Sequence, residues 1–165
     1  MWWVYHPRWT GEDAPEPINA RVEKVVTSKY FRGAFAQHRC LEPASGWYEW
    51  VPIDGQKQSY FLTREDREPF WFAGICSERP VGEPVCAIIT EPARGAAKAI
   101  HDRMPLALDS ESQEPWLDPH LTVRETMRPV THHLDNRKIP HWRVSTRVNT
   151  TTHDDESLIA PLTGS

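Results

Sequence analysis

The chain has 165 residues, 39% of them hydrophobic and 25% charged, with a net charge of −4. That is enough for one domain with a real core and too little for two, and the composition is not that of a disordered chain. No apolar run approaches the roughly 20 residues of a membrane span, and Met1–Pro7 holds no basic region leading into an apolar stretch, so a soluble, cytoplasmic protein is expected.

In chain order, residues 10–17 (TGEDAPEP) read as a loop. Val22, Val25, Val26, Phe31 and Phe35 recur at roughly helical spacing without an intervening Pro, which predicts a helix over Val22–Ala36. Residues 39–41 and 46–51 read as strands around a Pro43–Gly46 turn. Ser59–Thr63, Phe70–Cys76 and Val85–Thr90 are three more strands, separated by Gly, Asp and Pro. Ala93–Ile100 is Ala-rich and reads as helical. Ser112–Leu117 suggests a second short helix and His141–Ser145 a late strand. With 15 prolines and 8 glycines breaking the chain into short pieces, the expectation is a single α+β domain over residues 1–165. It is β-rich, with short mixed or antiparallel strands and a few helices.

Charge is unevenly placed. Asp109, Glu111, Glu114, Asp118 and Glu125 make residues 109–125 acidic. Arg128, Arg137, Lys138, Arg143 and Arg147 make residues 128–147 basic, either an ordinary solvated surface or a local face for phosphates despite the negative total. Cys40, Cys76 and Cys86 show no C-x-x-C spacing and suggest reduced thiols, with Cys76 and Cys86 as core residues. His132, His133 and His141 are conceivable metal ligands without a partner at a recognised spacing, so no metal and no cofactor are expected.

Four segments combine reactive groups with aromatic or turn residues. Asn19-Ala20-Arg21-Val22-Glu23 lies at a loop-to-helix junction. In Gly46-Trp47-Tyr48-Glu49-Trp50, a strand puts Trp47 and Glu49 on one face and Tyr48 and Trp50 on the other. A carboxylate among aromatics has a raised pKa and suits general acid–base work near neutrality. His101-Asp102-Arg103-Met104-Pro105 offers an imidazole as proton shuttle. Val144-Ser145-Thr146-Arg147-Val148-Asn149 offers hydroxyl and guanidinium groups for phosphate contact. Taken singly, each has an ordinary structural alternative. Glu49 is then a surface carboxylate, His101 a cap, Asn19 a helix cap, and Arg21 an ion-pair partner of Glu23 or Glu49.

In this order, however, the segments resemble one family. Trp2–Trp9, the N-A-R-x-E run at 19–23, Arg39–Trp50 with its G-x-x-E-W, Ala73-Gly74-Ile75, H-x-R-M-P at 101–105 and Val144–Asn149 are similar to the SOS response-associated peptidase (SRAP) family. Members of that family shield abasic sites in single-stranded DNA. The resemblance covers nearly the whole chain. It implies a β-rich α+β fold with a DNA groove and single-stranded DNA bearing abasic sites as partner. It further implies Asn19 and Glu49 lining the site, His101 as proton shuttle, and Arg21, Trp47, Arg103, Ser145 and Arg147 on DNA. Family members normally begin Met-Cys-Gly-Arg, and that cysteine closes a thiazolidine with the opened abasic sugar. Here Met1 stands directly at the family's W-G-x-x-P-x-W segment, Trp3 replaces its glycine, and all three cysteines are internal. The expectation is therefore an abasic-site protein without the covalent cysteine step. The alternatives are a non-catalytic single-stranded DNA-binding module or an inactive fragment.

Overall fold

Short strands dominate because most apolar stretches are too brief for a helix and end at Gly, Pro or Asp. The structure, a computed structural model, describes residues 1–79, 82–127, 134 and 139–162. It divides into two compact units. The first comprises Met1–Pro43, Trp71–Glu91 and Pro105–Leu134, the second Ala44–Phe70, Pro92–Met104 and Asp135–Ser165.

In the first unit, β1 (Asn19–Arg21), β2 (Arg39–Ala44), β5 (Phe70–Glu78) and β6 (Pro84–Pro92) form a sheet in the order β1-β6-β5-β2. β1 runs parallel to β6 in the register Asn19↔Ile88, Ala20↔Ile89, Arg21↔Thr90, and β5 runs antiparallel to β6. α1 (Val22–Val25), α2 (Arg32–Gln37), α3 (Ser110–Leu117) and α4 (Val123–Met127) belong to the same unit. Its core joins Val25, Phe35, Ile75, Ile89, Leu106 and Trp116, all buried. The Asp109 side chain caps α3 by accepting the Ser112 N–H at 2.9 Å, as an N-terminal Asp should.

The helix expected over Val22–Ala36 is two helices. Between them the Ser28 hydroxyl accepts the Tyr30 N–H (3.2 Å) and the Thr27 hydroxyl donates to the Lys24 carbonyl (3.3 Å). Such local side-chain bonds compete with the helical ladder. The Ala93–Ile100 stretch is likewise a 3-10 turn over Gly95–Ala99 rather than an α-helix, entered through Gly95 at φ 55°. β1 is a strand that the loop-to-helix reading did not anticipate.

The three cysteines are free thiols. Cys76 and Cys86 are cross-strand partners, and the Cys40 thiol donates to Glu42 Oε1 at 3.5 Å. Cys86 is buried as expected, and burial beside Glu42 pushes its thiol up to about 12. Cys76 is only half-buried and donates to the His38 carbonyl at 3.3 Å.

In the second unit, β3 (Gly46–Ile53), β4 (Gln56–Thr63) and β8 (His141–Arg143) make a three-stranded antiparallel sheet in that order. Asp54 (φ 49°) and Gly55 (φ 78°) close the β3–β4 hairpin, the left-handed pair that a tight two-residue turn requires. Pairing therefore runs up to the turn, and β4 starts at Gln56 rather than Ser59. Among the described residues, no helix is long and apolar enough to cross a membrane.

Candidate functional site

Residues paired across an antiparallel sheet share a face. Trp47 pairs with Leu62 and Leu62 with His141; Glu49 pairs with Tyr60 and Tyr60 with Arg143. These six side chains make one face of the β3–β4–β8 sheet. The other face carries Tyr48, Phe61 and Trp142 in ring contact at 5.2 and 5.7 Å, together with Trp50 and Ser59. The expected split of Trp47 and Glu49 from Tyr48 and Trp50 thus holds.

His101 reaches the Glu49 face from a loop. The 3-10 turn Gly95–Ala99 ends with the His101 N–H donating to the Ala97 carbonyl (3.0 Å). The Ala93 N–H donates to the Asp102 carbonyl (2.9 Å), closing the loop's base. β7 (Arg103–Pro105) then leads away. His101 Nδ1 lies 4.0 Å from Glu49 Oε2 and 3.4 Å from Asp102 Oδ1.

The Arg103 N–H meets His101 Nδ1 at 3.1 Å, and the Arg103 carbonyl oxygen is also 3.1 Å from it. A neutral imidazole with its proton on Nε2 accepts from that N–H. A doubly protonated ring instead donates to the carbonyl and presents its charge to Glu49. The backbone thus accommodates either protonation state of the ring.

Glu49 is the buried partner of the pair, its side chain 18% exposed against 45% for His101. Burial pushes its carboxyl above the ordinary carboxylate range; His101 and the neighbouring Trp47 indole act the other way. Trp47 itself packs edge-on against Phe70 at 5.3 Å. The arrangement holds a proton-accepting carboxylate beside a half-exposed imidazole, which is what proton transfer to a bound substrate needs.

A stability consequence follows. The folded chain binds the Glu49 proton more tightly than the unfolded chain does. The group's contribution to stability is therefore full below the unfolded pKa and lost as pH rises through the folded pKa. Glu49→Gln should raise Tm near about pH 8, with a gain that shrinks as pH falls, at about 2–4 °C per kcal/mol for a chain of this size. Calorimetry across pH checks it, and a Tm lowered at every pH would contradict the assignment of burial as the dominant influence.

Asn19 and Arg21 lie in the first unit, both exposed on the same face of β1, with Ala20 buried between them. Arg103 is half-buried at the start of β7. Ser145 and Arg147 already hold structural partners. The Ser145 hydroxyl accepts the Arg147 N–H, capping the 3-10 turn Thr146–Asn149. The Arg147 guanidinium grips Asp155 (2.9 Å) and Ser157 (2.7 Å). The same turn presents Asn149 to the Trp50 indole N–H (2.7 Å) and the Ser59 hydroxyl (3.2 Å), on the sheet face away from Glu49. The structure therefore brings together Trp47, Glu49 and His101, with the Arg103 backbone beside the imidazole. Arg143, named in sequence only as part of the basic run, joins Glu49 on its face together with Tyr60, which sequence did not single out; the alternation of β4 and β8 was the available signal, but it needed the register.

No group of three or more His, Cys, Asp or Glu residues among the described residues is placed to hold a metal ion. His132 and His133, and Arg128, Arg137 and Lys138 of the basic run, lie outside the described residues.

Residues 1–151 match the family model described as SOS response associated peptidase (SRAP). The abasic site processing protein YedK of Escherichia coli is 35% identical over 76% of this chain, which spans 57% of that relative's length. The abasic site processing protein YoqW of Bacillus subtilis is 30% identical over 95% of this chain and 73% of its own. A crystal structure of a protein from Bacteroides thetaiotaomicron superposes with a TM-score of 0.84, at 24% identity, over 96% of this chain and 74% of that one. It shares the fold.

Proposed function

The chain belongs to the SOS response associated peptidase family, and from that membership we propose that it binds single-stranded DNA at abasic sites and handles the exposed sugar with Glu49 and His101. The observation that carries this reading is the meeting of Glu49 Oε2 and His101 Nδ1 at 4.0 Å, with the carboxyl partly buried and its pKa raised.

An abasic sugar is a cyclic hemiacetal. Opening it moves two protons: a base takes the C1′ hydroxyl proton, an acid protonates the ring oxygen, and the C1′–O4′ bond breaks to leave an aldehyde and a hydroxyl. A partly buried carboxyl and an imidazole 4.0 Å apart supply one acid and one base. Trp47 offers a surface for a neighbouring base, and the family pattern assigns Arg103, and in the first unit Asn19 and Arg21, to contacts with DNA. The family pattern also assigns Ser145 and Arg147 to DNA: the Ser145 hydroxyl keeps its own proton to donate, and Arg147 keeps the N–H donors not engaged by Asp155 and Ser157. A cytoplasmic location accords with this role.

Single strands are the preferred form, because aromatic side chains stack only on bases they can reach. One stacked base contributes about 1–3 kcal/mol, and 1.4 kcal/mol is tenfold in affinity. Fluorescence anisotropy with a single strand carrying a tetrahydrofuran abasic analogue should give about tenfold tighter binding than the blunt duplex of the same sequence. Equal affinities would overturn the preference for single strands.

A further inference from the structure

The row Glu49–Tyr60–Arg143 runs across the three strands of the second unit's sheet, on one face. Tyr60 is half-buried in the middle and Arg143 exposed at the edge. The Arg143 Nε donates to the Tyr60 hydroxyl oxygen at 3.1 Å. That bond uses one of the guanidinium's five donors and fixes its stem, leaving the two Nη groups to point onward. Among the described residues Arg143 makes no ion pair, whereas Arg64, in the same unit, is held by Asp66 at 2.8 Å, and Arg147 by Asp155. Neighbouring strands lie about 4.7–4.9 Å apart, so the Arg143 backbone stands about 10 Å from that of Glu49. On the same face, His141 stacks obliquely with Tyr60 at 6.1 Å between ring centroids. The face therefore runs from a proton-handling pair, over an aromatic ring, to a cation with no ion-pair partner among the described residues, whose planar fork matches two phosphate oxygens.

We infer that Arg143, positioned by Tyr60, is a phosphate-binding residue that holds the DNA strand whose abasic sugar lies at Glu49. This rests on the reading of the chain as a single-stranded DNA binder and names the residue that anchors the strand on the Glu49 face. It also gives the Tyr60 hydroxyl a job: it is the acceptor that orients the guanidinium.

The salt dependence of binding tests it. Each phosphate neutralised on a single strand adds about 0.7 to the slope of log affinity against log salt. Anisotropy titrations with the tetrahydrofuran-containing single strand at several salt concentrations should show Arg143→Ala weakening binding about 3–10-fold at low salt and lowering the slope by about 0.7. Arg143→Lys should keep the slope. Tyr60→Phe should weaken binding by less than Arg143→Ala with the slope unchanged, because the charge stays while its orientation is lost. Arg64→Ala, which removes a cation already paired with Asp66, should leave both affinity and slope unchanged. A wild-type slope in Arg143→Ala, with the wild-type chain binding the strand, would overturn the inference and leave the proposed function standing. If the wild-type chain binds no single strand at all, the proposed function falls and this assignment with it.

Discussion

Glu49→Gln and His101→Ala are each expected to slow capture of an abasic aldehyde by about 10²-fold or more, the range in which positioned acid–base groups act, while changing affinity for the intact single strand by less than about threefold. The assay is borohydride trapping. A protein amine condenses with the opened aldehyde, losing water to give an imine, and hydride reduces the C=N bond to a secondary amine that survives a denaturing gel. Both proton-transfer steps, ring opening and loss of water, draw on the same pair. The pair acts as a unit across 4.0 Å, so the double variant should lose little more than either single one. Multiplying losses would mean two independent roles. Normal trapping in Glu49→Gln would remove the carboxyl from the chemistry and leave it as a buried structural group.

The largest effect on stability is expected at Trp116. Its side chain is fully buried, meets Phe35 edge-on at 5.7 Å between centroids, and donates its indole N–H to the Cys40 carbonyl at 2.9 Å. Arg39 adds a bond from its Nε to the Trp116 carbonyl at 2.6 Å and ones to the Phe35 and Ala36 carbonyls. Trp116→Ala leaves a cavity where α3, α2 and β2 meet and strands the Cys40 carbonyl without its donor. A cost of about 3–5 kcal/mol follows, a large share of a typical stability of about 5–15 kcal/mol. Urea denaturation should show the midpoint falling with the slope unchanged, and Trp116→Phe should recover part of the loss by refilling the cavity. A loss under about 1 kcal/mol for the alanine variant would show that α3 does not hold this core together.

Much of the second unit was legible before any coordinates. Period-two alternation in Gly46–Trp50 put Trp47 and Glu49 on one face because a strand permits nothing else. The shortness of the apolar runs carried the β-rich class, whereas the tight turn at Asp54-Gly55 was missed, which is why β4 was expected to start at Ser59 rather than Gln56. The break at Thr27-Ser28 was hidden because helical spacing of valines and phenylalanines says nothing about hydroxyls that satisfy the backbone locally. β1 was hidden because three residues carry no period; Asn19–Arg21 is a strand only because β6 offers it partners. The meeting of Glu49 with His101 has no signature in local spacing, since a loop closed by Ala93 and Asp102 delivers the imidazole. Only the order of the motifs, read as a family pattern, joined them. Arg147 shows the reverse case. Its residue type suggested a phosphate contact, yet Asp155 and Ser157, eight and ten residues on, engage both of its terminal nitrogens in structural bonds.

The central claim, that this chain recognises and handles an abasic sugar in single-stranded DNA, is tested most directly by one gel. The wild-type chain is mixed with a single strand bearing one true abasic site, or the same strand bearing its tetrahydrofuran analogue, and borohydride is added over time. The account predicts a denaturant-resistant protein–DNA band that grows with the true abasic strand and is absent with the analogue, because only the former has a hemiacetal that opens to an aldehyde. No band with the abasic strand, under conditions where anisotropy shows that it is bound, would contradict the account and make the chain a passive single-strand binder.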